Sequence, residues 1–220
     1  MPAVSKRTTF SPSDIGTTLL ALSALAMAWL AWQHIRHPRL RLPVATAVPE
    51  WAELIRVATW PPIRARSQHA MIVFIEPGCQ ACATVLRAID SLRPVRGVTP
   101  QVGYIYFVHA PVNHRMIDAS TMAECANAQG HLAEYLSALF LADDPADYGT
   151  IAATDLHLDE NRLNECMRRT DAQALVERHV MAGRQLGLRQ APAVLLDGFL
   201  ISPPLTFRAL DSAWSSIVSK

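Results

Sequence analysis

The chain has 220 residues, including four cysteines, and its formal net charge at pH 7 is +1. A chain of this length can bury a sizeable core without disulfide support, and it has room for one ordinary domain and an appendage. The near balance of charge gives no indication that nucleic acid is a partner.

The first feature along the chain is an uncharged stretch at residues 15–35, which is long enough to span a bilayer. Basic residues precede it, and Trp29 and Trp32 lie near its end, where aromatic side chains anchor a helix at the membrane interface. We therefore predict an N-terminal tail over residues 1–14 and an uncleaved transmembrane signal anchor over residues 15–35.

Two alternatives exist for this uncharged stretch. Ala24-Leu25-Ala26 has the small-x-small form of a signal-peptide cleavage site, but apolar residues continue through Trp32 and favour an uncleaved anchor. A buried core helix is the other alternative, and it would lack the polar face that such a helix normally presents.

The basic residues around the stretch conflict over its orientation. Arg36, Arg39 and Arg41 outnumber the basic residues before it, and the positive-inside rule would then keep the C-terminal domain in the cytoplasm. The cysteine usage described below instead fits an oxidising compartment. We therefore expect a single-pass protein of a bacterial inner membrane with its domain in the periplasm or another extracytoplasmic space.

Prolines mark the segment that follows. Pro38, Pro43 and Pro49, together with several small residues, predict an extended linker over residues 36–50. The globular domain is accordingly predicted over residues 51–220.

The most informative stretch is a short apolar run that leads into a Cys-x-x-Cys. Residues 71–75 are β-branched or aromatic and are bounded by breakers, which predicts a buried strand. Apolar residues recur at helical spacing after Cys82, so Cys79 lies at a helix start, where unpaired N–H groups and the helix dipole stabilise a thiolate. Cys79 would then be the attacking and leaving sulfur of disulfide exchange, and Cys82 the resolving thiol.

A Cys-x-x-Cys can also be half of a zinc site or an inert pair in the core. Zinc would need two more ligands, commonly a second closely spaced pair, whereas Cys125 and Cys166 are single and far apart in the sequence. The strand-turn-helix context favours redox exchange, and we predict no metal site.

The next strand is predicted at residues 102–108, which are rich in aromatic and β-branched residues. His109 follows it, either near the active edge of a parallel sheet or in an exposed loop. Helical periodicity then predominates, which predicts a helical subdomain inserted at about residues 114–187. Within it we expect a helical stretch at residues 116–141 that breaks at Gly130, a short helix at residues 148–153, and two helices capped by Asp159 and Asp171.

The last portion predicts an antiparallel hairpin. An apolar strand follows Ala191-Pro192, and Asp197-Gly198 is a strong signal for a tight turn into a second strand. Because Pro192 cannot donate a ladder N–H, a cis Ala191-Pro192 bond is one way to place it at the head of the strand. A final helix is predicted to start at Pro203-Pro204.

This combination of features resembles the DsbA-like branch of the thioredoxin superfamily, over roughly residues 68–218. The resemblance implies an α/β, thioredoxin-like fold with an inserted helical subdomain. It also implies a thiol-disulfide oxidoreductase in which Cys79 is the nucleophile and Cys82 the resolving thiol. Ala191 and Pro192 would then form the loop that faces the substrate.

The resemblance has a further implication for the two remaining cysteines. Some exported relatives join helices of the insertion by a disulfide, which implies a structural bridge between Cys125 and Cys166. Two buried free thiols are the alternative. A bridge over this separation would contribute about 4 kcal/mol of stability in the chain-entropy model.

Several residues depart from the family pattern. Gln80-Ala81 stands where DsbA-like oxidases often carry Pro-His, so no histidine hydrogen-bonds the Cys79 thiolate and the pair is expected to be a weaker oxidant. Ala191 replaces the usual Val or Thr. Glu76 could raise the pKa of Cys79 or relay a proton, although a solvated carboxylate at a strand end is the plainer interpretation.

The sequence thus predicts a membrane-anchored thiol-disulfide oxidoreductase that acts on cysteine-containing, exported proteins. The resemblance implies a membrane redox partner, either a quinone-linked protein of the DsbB kind or a donor of reductant. No organic cofactor is expected, because the sulfur pair itself carries both electrons. The alternatives are a non-enzymatic scaffold or chaperone of an envelope complex and a thiol sensor that faces the cytoplasm.

Overall fold

The computed structural model describes residues 22–29, 32, 45–62, 67–108, 114–141, 151, 156–201 and 203–219. The chain divides into two units, Met1–Arg41 and Leu42–Lys220. In the first unit, the described residues are helical and exposed to solvent. Most of the predicted anchor lies outside the described residues, and the part that is described includes no helix long and apolar enough to cross a bilayer.

The second unit is built around a five-stranded mixed sheet with the strand order β1-β5-β4-β2-β3. The strands are β1 (Ala45–Ala47), β2 (Ala70–Ile75), β3 (Gln101–Tyr106), β4 (Ala193–Leu196) and β5 (Phe199–Ile201). β2 and β3 are parallel, whereas β2 with β4, β4 with β5, and β5 with β1 are antiparallel. β1 lies within the stretch predicted as a linker, where its small side chains gave no strand pattern, and pairing with β5 is what makes it a strand.

Seven helices of the second unit lie within the described residues. They are α1 (Trp51–Val57), α2 (Gln80–Asp90), α3 (His114–Asn127), α4 (Leu132–Leu141), α5 (Glu160–Arg168), α6 (Thr170–Gln185) and α7 (Phe207–Val218). Four of them, α3 to α6, lie between β3 and β4 in the sequence, where the helical insertion was expected. The predicted break at Gly130 is confirmed, since this residue has φ +88° between α3 and α4.

The helix ends test the predicted caps. Asp159 caps α5 as predicted, because its carboxylate accepts the Arg162 N–H at 3.0 Å. The cap predicted at Asp171 is wrong: a single residue, Arg169, separates α5 from α6, so α6 starts earlier and Asp171 lies in its first turn. The final helix also starts later than predicted, at Phe207, with Thr206 as its cap.

Two other expectations fall outside the described residues. His109 is one of them. The short helix expected at residues 148–153 is the other, apart from the single described position 151.

β2 is buried on both faces because its side chains alternate between two hydrophobic clusters. Met71, Val73 and Ile75 belong to the larger cluster, which includes residues of α2, α3, α4 and α7. Ile72 and Phe74 belong to a smaller cluster that α1 and the C-terminal part of α6 cover. The strand that leads to the Cys-x-x-Cys is therefore held rigidly on both faces.

Helix α6 approaches the end of β3 closely at Gly183. A Cβ atom at this position would lie 2.2 Å from Cδ2 of Phe107, which is itself only 2% exposed. A glycine is the residue that permits this approach.

Gly183→Ala is therefore expected to lower the free energy of unfolding by about 1–3 kcal/mol, because the added methyl group overpacks the core. This loss should outweigh the roughly 1 kcal/mol that alanine gains over glycine in helix propensity. Urea denaturation of both proteins gives the difference. Phe107→Leu should relieve the clash, so the double variant should be more stable than the two single losses imply. A Gly183→Ala protein as stable as the parent would contradict this packing argument.

Candidate active site

The position of Cys79 follows from the turn that ends β2. After Ile75, the Cys79 N–H donates to the Glu76 carbonyl at 3.1 Å, and Gly78 between them has φ +76°. A positive φ favours glycine, which has no Cβ to clash. This turn places Cys79 at the N-cap of α2.

At the N-cap, the sulfur of Cys79 takes the place of a capping oxygen. Its Sγ accepts the backbone N–H of Cys82 at 3.0 Å, and the first turn of α2 contains no acidic residue. Cys79 and Cys82 are joined by a disulfide with a Cα–Cα distance of 5.2 Å. The arrangement would stabilise negative charge on Cys79, because the N–H and the positive end of the helix dipole both point toward it.

The two sulfurs differ sharply in access. Cys82 has no exposed surface, whereas Cys79 is only half-buried. Because disulfide exchange depends on which sulfur an external thiolate can reach, Cys79 is the sulfur available for attack.

Strand pairing brings the Ala191-Pro192 loop to the same edge of the sheet. In the antiparallel pair of β2 and β4, Phe74 lies opposite Ala193. The residues just before Ala193 therefore lie beside the residues just after Ile75. The Ala191-Pro192 bond is cis, and both residues are half-buried. Cys79 and the Ala191-Pro192 loop, which are more than 100 positions apart in the sequence, thus lie at the same edge of the sheet.

The residues that flank the two cysteines complete this site. Gln80 and Ala81 are exposed at the start of α2, and Glu76 is half-buried at the end of β2. At the position where a histidine could hydrogen-bond the Cys79 thiolate, this chain has Ala81, which is exposed to solvent.

The second pair of cysteines forms a separate disulfide. Cys125 of α3 and Cys166 of α5 are linked with a Cα–Cα distance of 5.7 Å across a sequence separation of 41. Cys125 has no exposed surface. The four cysteines therefore form two independent pairs, and no cluster of three or more His, Cys, Asp or Glu suited to a metal ion occurs among the described residues.

Buried polar residues, together called the polar seam, connect α3 and α6 of the helical layer (α3 to α6) to the sheet. His179 of α6 is fully buried, with Nδ1 3.3 Å from the Tyr106 N–H that donates to it and Nε2 2.5 Å from the Val57 carbonyl oxygen. Glu124 of α3 accepts a hydrogen bond from the Thr59 hydroxyl. Because Tyr106 lies opposite Ile75 in the sheet, the seam supports the strand pair that carries the active-site turn.

Burial perturbs the titration of every ionisable group in this seam. It lowers the pKa of His179 to about 4, since no water solvates the imidazolium. Burial raises the pKa of Glu124, and it raises the pKa of Tyr106 well above the usual range, with the Glu124 charge adding to the effect. No sequence motif marks these residues. The one signal was a histidine among the apolar positions of α6, which does not reveal its partners.

The lowered pKa of His179 predicts a loss of stability in acid. An unfolded histidine titrates near pH 6.5, so between about pH 6.5 and pH 4 the unfolded state binds a proton that the folded state excludes. The stabilisation is complete above pH 6.5 and falls as the pH decreases, by about 3 kcal/mol in total. His179→Gln should remove this part of the pH dependence, which denaturation at a series of pH values measures.

Two comparisons isolate the effect. Glu124 acts in the opposite direction, because its raised pKa makes the folded state more stable as the pH falls, and the same contribution is present in both proteins. The exposed His114 provides the matched control, His114→Gln. The interpretation fails if His179→Gln and the parent lose stability in parallel between pH 6.5 and pH 4.

A sulfur-capped helix, a buried second sulfur and a cis-proline loop at one sheet edge define a thioredoxin-type redox site. The family model described as Thioredoxin matches residues 64–214, so the chain belongs to the thioredoxin family. No curated protein sequence matches the chain.

Solved structures with a similar fold include several DsbA-like oxidoreductases. BdbD from Bacillus subtilis, in its oxidised form, superposes with a TM-score of 0.61 at 11% identity, covering 81% of this chain and 99% of that one. A thioredoxin-like oxidoreductase from Silicibacter pomeroyi gives 0.59 at 17% identity, covering 74% and 92%. Oxidoreductase DsbA from Xylella fastidiosa gives 0.57 at 13% identity, covering 82% and 100%. The predicted thioredoxin-like fold is thus confirmed.

Proposed function

We propose that this protein is a thiol-disulfide oxidoreductase that exchanges disulfides with exported proteins. The observation that carries the proposal is the half-exposed Cys79 sulfur at the N-terminus of α2, which accepts the Cys82 N–H at 3.0 Å. The cis Ala191-Pro192 loop lies at the same sheet edge. The fold and the family of the chain agree with this activity.

Burial of the second sulfur sets the order of events. In the oxidising direction, a substrate thiolate attacks the Cys79 Sγ, the bond to Cys82 breaks, and Cys82 leaves as a thiolate that takes up a proton. A second substrate thiolate then attacks the substrate sulfur of the mixed disulfide and releases Cys79 as a thiolate. The substrate is oxidised and the Cys79–Cys82 pair is reduced by two electrons. In the reducing direction, the same steps run backwards with Cys79 as the nucleophile.

The loop before β4 provides a surface for the substrate backbone. Pairing of β4 with β2 starts at Ala193, so Ala191 precedes the ladder. An extended substrate segment could pair with main-chain groups there while its cysteine faces Cys79. Such binding would depend on backbone more than on side chains, which suits an enzyme with many protein substrates.

The dipeptide between the cysteines bears on the redox potential. Exposed Gln80 and Ala81 offer no imidazole to hydrogen-bond the Cys79 thiolate, so the thiolate depends on the Cys82 N–H and the helix dipole. Since a less stabilised thiolate makes a weaker oxidant, we propose a pair less oxidising than DsbA and not as reducing as thioredoxin.

The reduction potential of the Cys79–Cys82 pair is therefore expected between about −120 mV and about −270 mV. Equilibration of the full chain with glutathione buffers, followed by alkylation and mapping of the Cys79 and Cys82 peptides, measures it. Ala81→His should raise the potential by about 30 mV or more, because a positive imidazole stabilises the thiolate. Thr84→His adds the same ring to an exposed site one turn on and serves as the control. The absence of a reversible couple would refute the proposed activity.

We further propose that residues 15–35 anchor the protein in a bacterial inner membrane, with the redox domain on the extracytoplasmic side. Support comes from the absence of charged residues in that stretch and from exposed apolar side chains on its described helical part, such as Leu25 and Trp29. Two disulfides also suit an oxidising compartment. A membrane protein of the DsbB kind, or a membrane donor of reductant, would then restore the starting state of the sulfur pair.

Alkaline phosphatase fused after Lys220 tests the orientation, since this reporter is active only when it is exported. We expect an active fusion in the membrane fraction, and an inactive one when residues 1–35 are deleted. An inactive fusion of the complete chain would place the domain in the cytoplasm, as the arginines after the stretch would favour.

A further inference from the structure

A second site lies in the helical layer, where a cavity of about 530 Å³ opens between α3, α5 and α6. Its lining includes Cys166, one of the two sulfurs of the second disulfide. None of its lining residues belongs to α2 or β4, so the cavity is separate from the Cys79 site.

The two cysteines of the second disulfide differ in their access to this cavity. Cys125 has no exposed surface, whereas Cys166 is partly exposed and lines the cavity. A thiolate attacks a disulfide sulfur from the side opposite the leaving sulfur. Because Cys125 lies on the inner side, the open approach to the Cys166 Sγ is from the cavity.

The charges around the cavity favour a thiol that carries carboxylates. Three arginines and three acidic residues line it, but Asp171 is paired with Arg169, whose Nη2 lies 2.6 Å from its Oδ2. Glu124 is engaged by the Thr59 hydroxyl, from which its carboxylate accepts a hydrogen bond. The other three charged residues of the lining are Arg162, Arg178 and Glu165, so two cations and one anion are left to meet a ligand beside Cys166.

The disulfide is the covalent link between helix α5 and α3. Leu163 is the one buried residue of α5, and Met167 is partly buried against the core. Hydrogen bonds between Gln129 and Asp159, and from Arg162 to the Ala128 carbonyl at 3.4 Å, add polar contacts at the exposed surface. Opening the Cys125–Cys166 bond would therefore leave α5 attached by one buried side chain and by polar contacts at its surface.

We propose that the Cys125–Cys166 disulfide is a second thiol-exchange site, at which a small thiol carrying carboxylates attacks Cys166. The thiolate sulfur forms a bond to the Cys166 Sγ, the Cys125–Cys166 bond breaks, and Cys125 leaves as a thiolate that takes up a proton. Attack by a second molecule of the thiol on the mixed disulfide yields the oxidised small thiol and a free Cys166. The protein pair gains two electrons, and two molecules of the small thiol lose them.

Glutathione provides the test, on the full chain carrying Cys79→Ser and Cys82→Ser, so that the outcome does not depend on the proposed activity of Cys79. Acid quenching traps mixed disulfides, and peptide mass spectrometry locates them. We expect the glutathione adduct on Cys166 at least tenfold more often than on Cys125. No adduct even with a large excess of glutathione, or equal adducts on both cysteines, would overturn the proposal.

Two arginine variants, one at the cavity and one outside it, test the preference for carboxylates. Arg178 lines the cavity, whereas Arg208 is an exposed arginine of α7 that does not. Arg178→Gln should slow adduct formation by glutathione about two- to fivefold, as the loss of one exposed favourable charge implies. It should leave the rate unchanged or faster with cysteamine, a cationic thiol, and Arg208→Gln should change neither rate. If Arg178→Gln slows both thiols equally or neither, the preference for carboxylates is refuted.

Discussion

The double pairing of β2 is the constraint on which the rest of the structure depends. β2 is hydrogen-bonded to β3 on one side and to β4 on the other, and hydrophobic clusters cover both of its faces. Because β3 is parallel and β4 antiparallel to it, the end of β2 meets the end of β3 and the start of β4 at one edge. The turn that carries Cys79 leaves the sheet at this edge, beside Ala191-Pro192. A rigid strand thus sets the position of the turn that carries Cys79.

The second requirement is a helix that starts at the Cys79 sulfur. Helix N-termini leave backbone N–H groups without intrahelical partners, and an N-cap side chain normally supplies an oxygen. Here the cap is Cys79, so the Cys82 N–H that the helix must satisfy points at sulfur. The same geometry buries Cys82 one turn further on. Local helix geometry therefore gives two identical side chains different exposure and different hydrogen bonding.

The helical layer is held to this core by polar as well as apolar contacts. His179 joins Tyr106 of β3 to Val57 at the end of α1, and Glu124 joins α3 to Thr59. Burial disfavours the charged form of both side chains, since it lowers the pKa of His179 and raises that of Glu124. By contrast, α5 is fastened at the periphery by the Cys125–Cys166 bond and few buried contacts. Helices α3 and α6 are thus held by buried polar and apolar contacts, whereas the outer helix α5 is also held by a covalent bond.

Sequence by itself determined the features that depend on neighbouring residues. Strand β2, the turn at Pro77-Gly78, Cys79 at a helix start and the Asp159 cap are set by local periodicity and backbone preferences within a few positions. Tertiary structure decided the features whose partners are distant in the chain. β1 is a strand because it pairs with β5, and His179 becomes a buried, neutral link only because Val57, 122 positions away, supplies a carbonyl. The physical reason is that a local pattern reveals which conformation a segment favours, whereas burial and pairing depend on what the folded chain places against it.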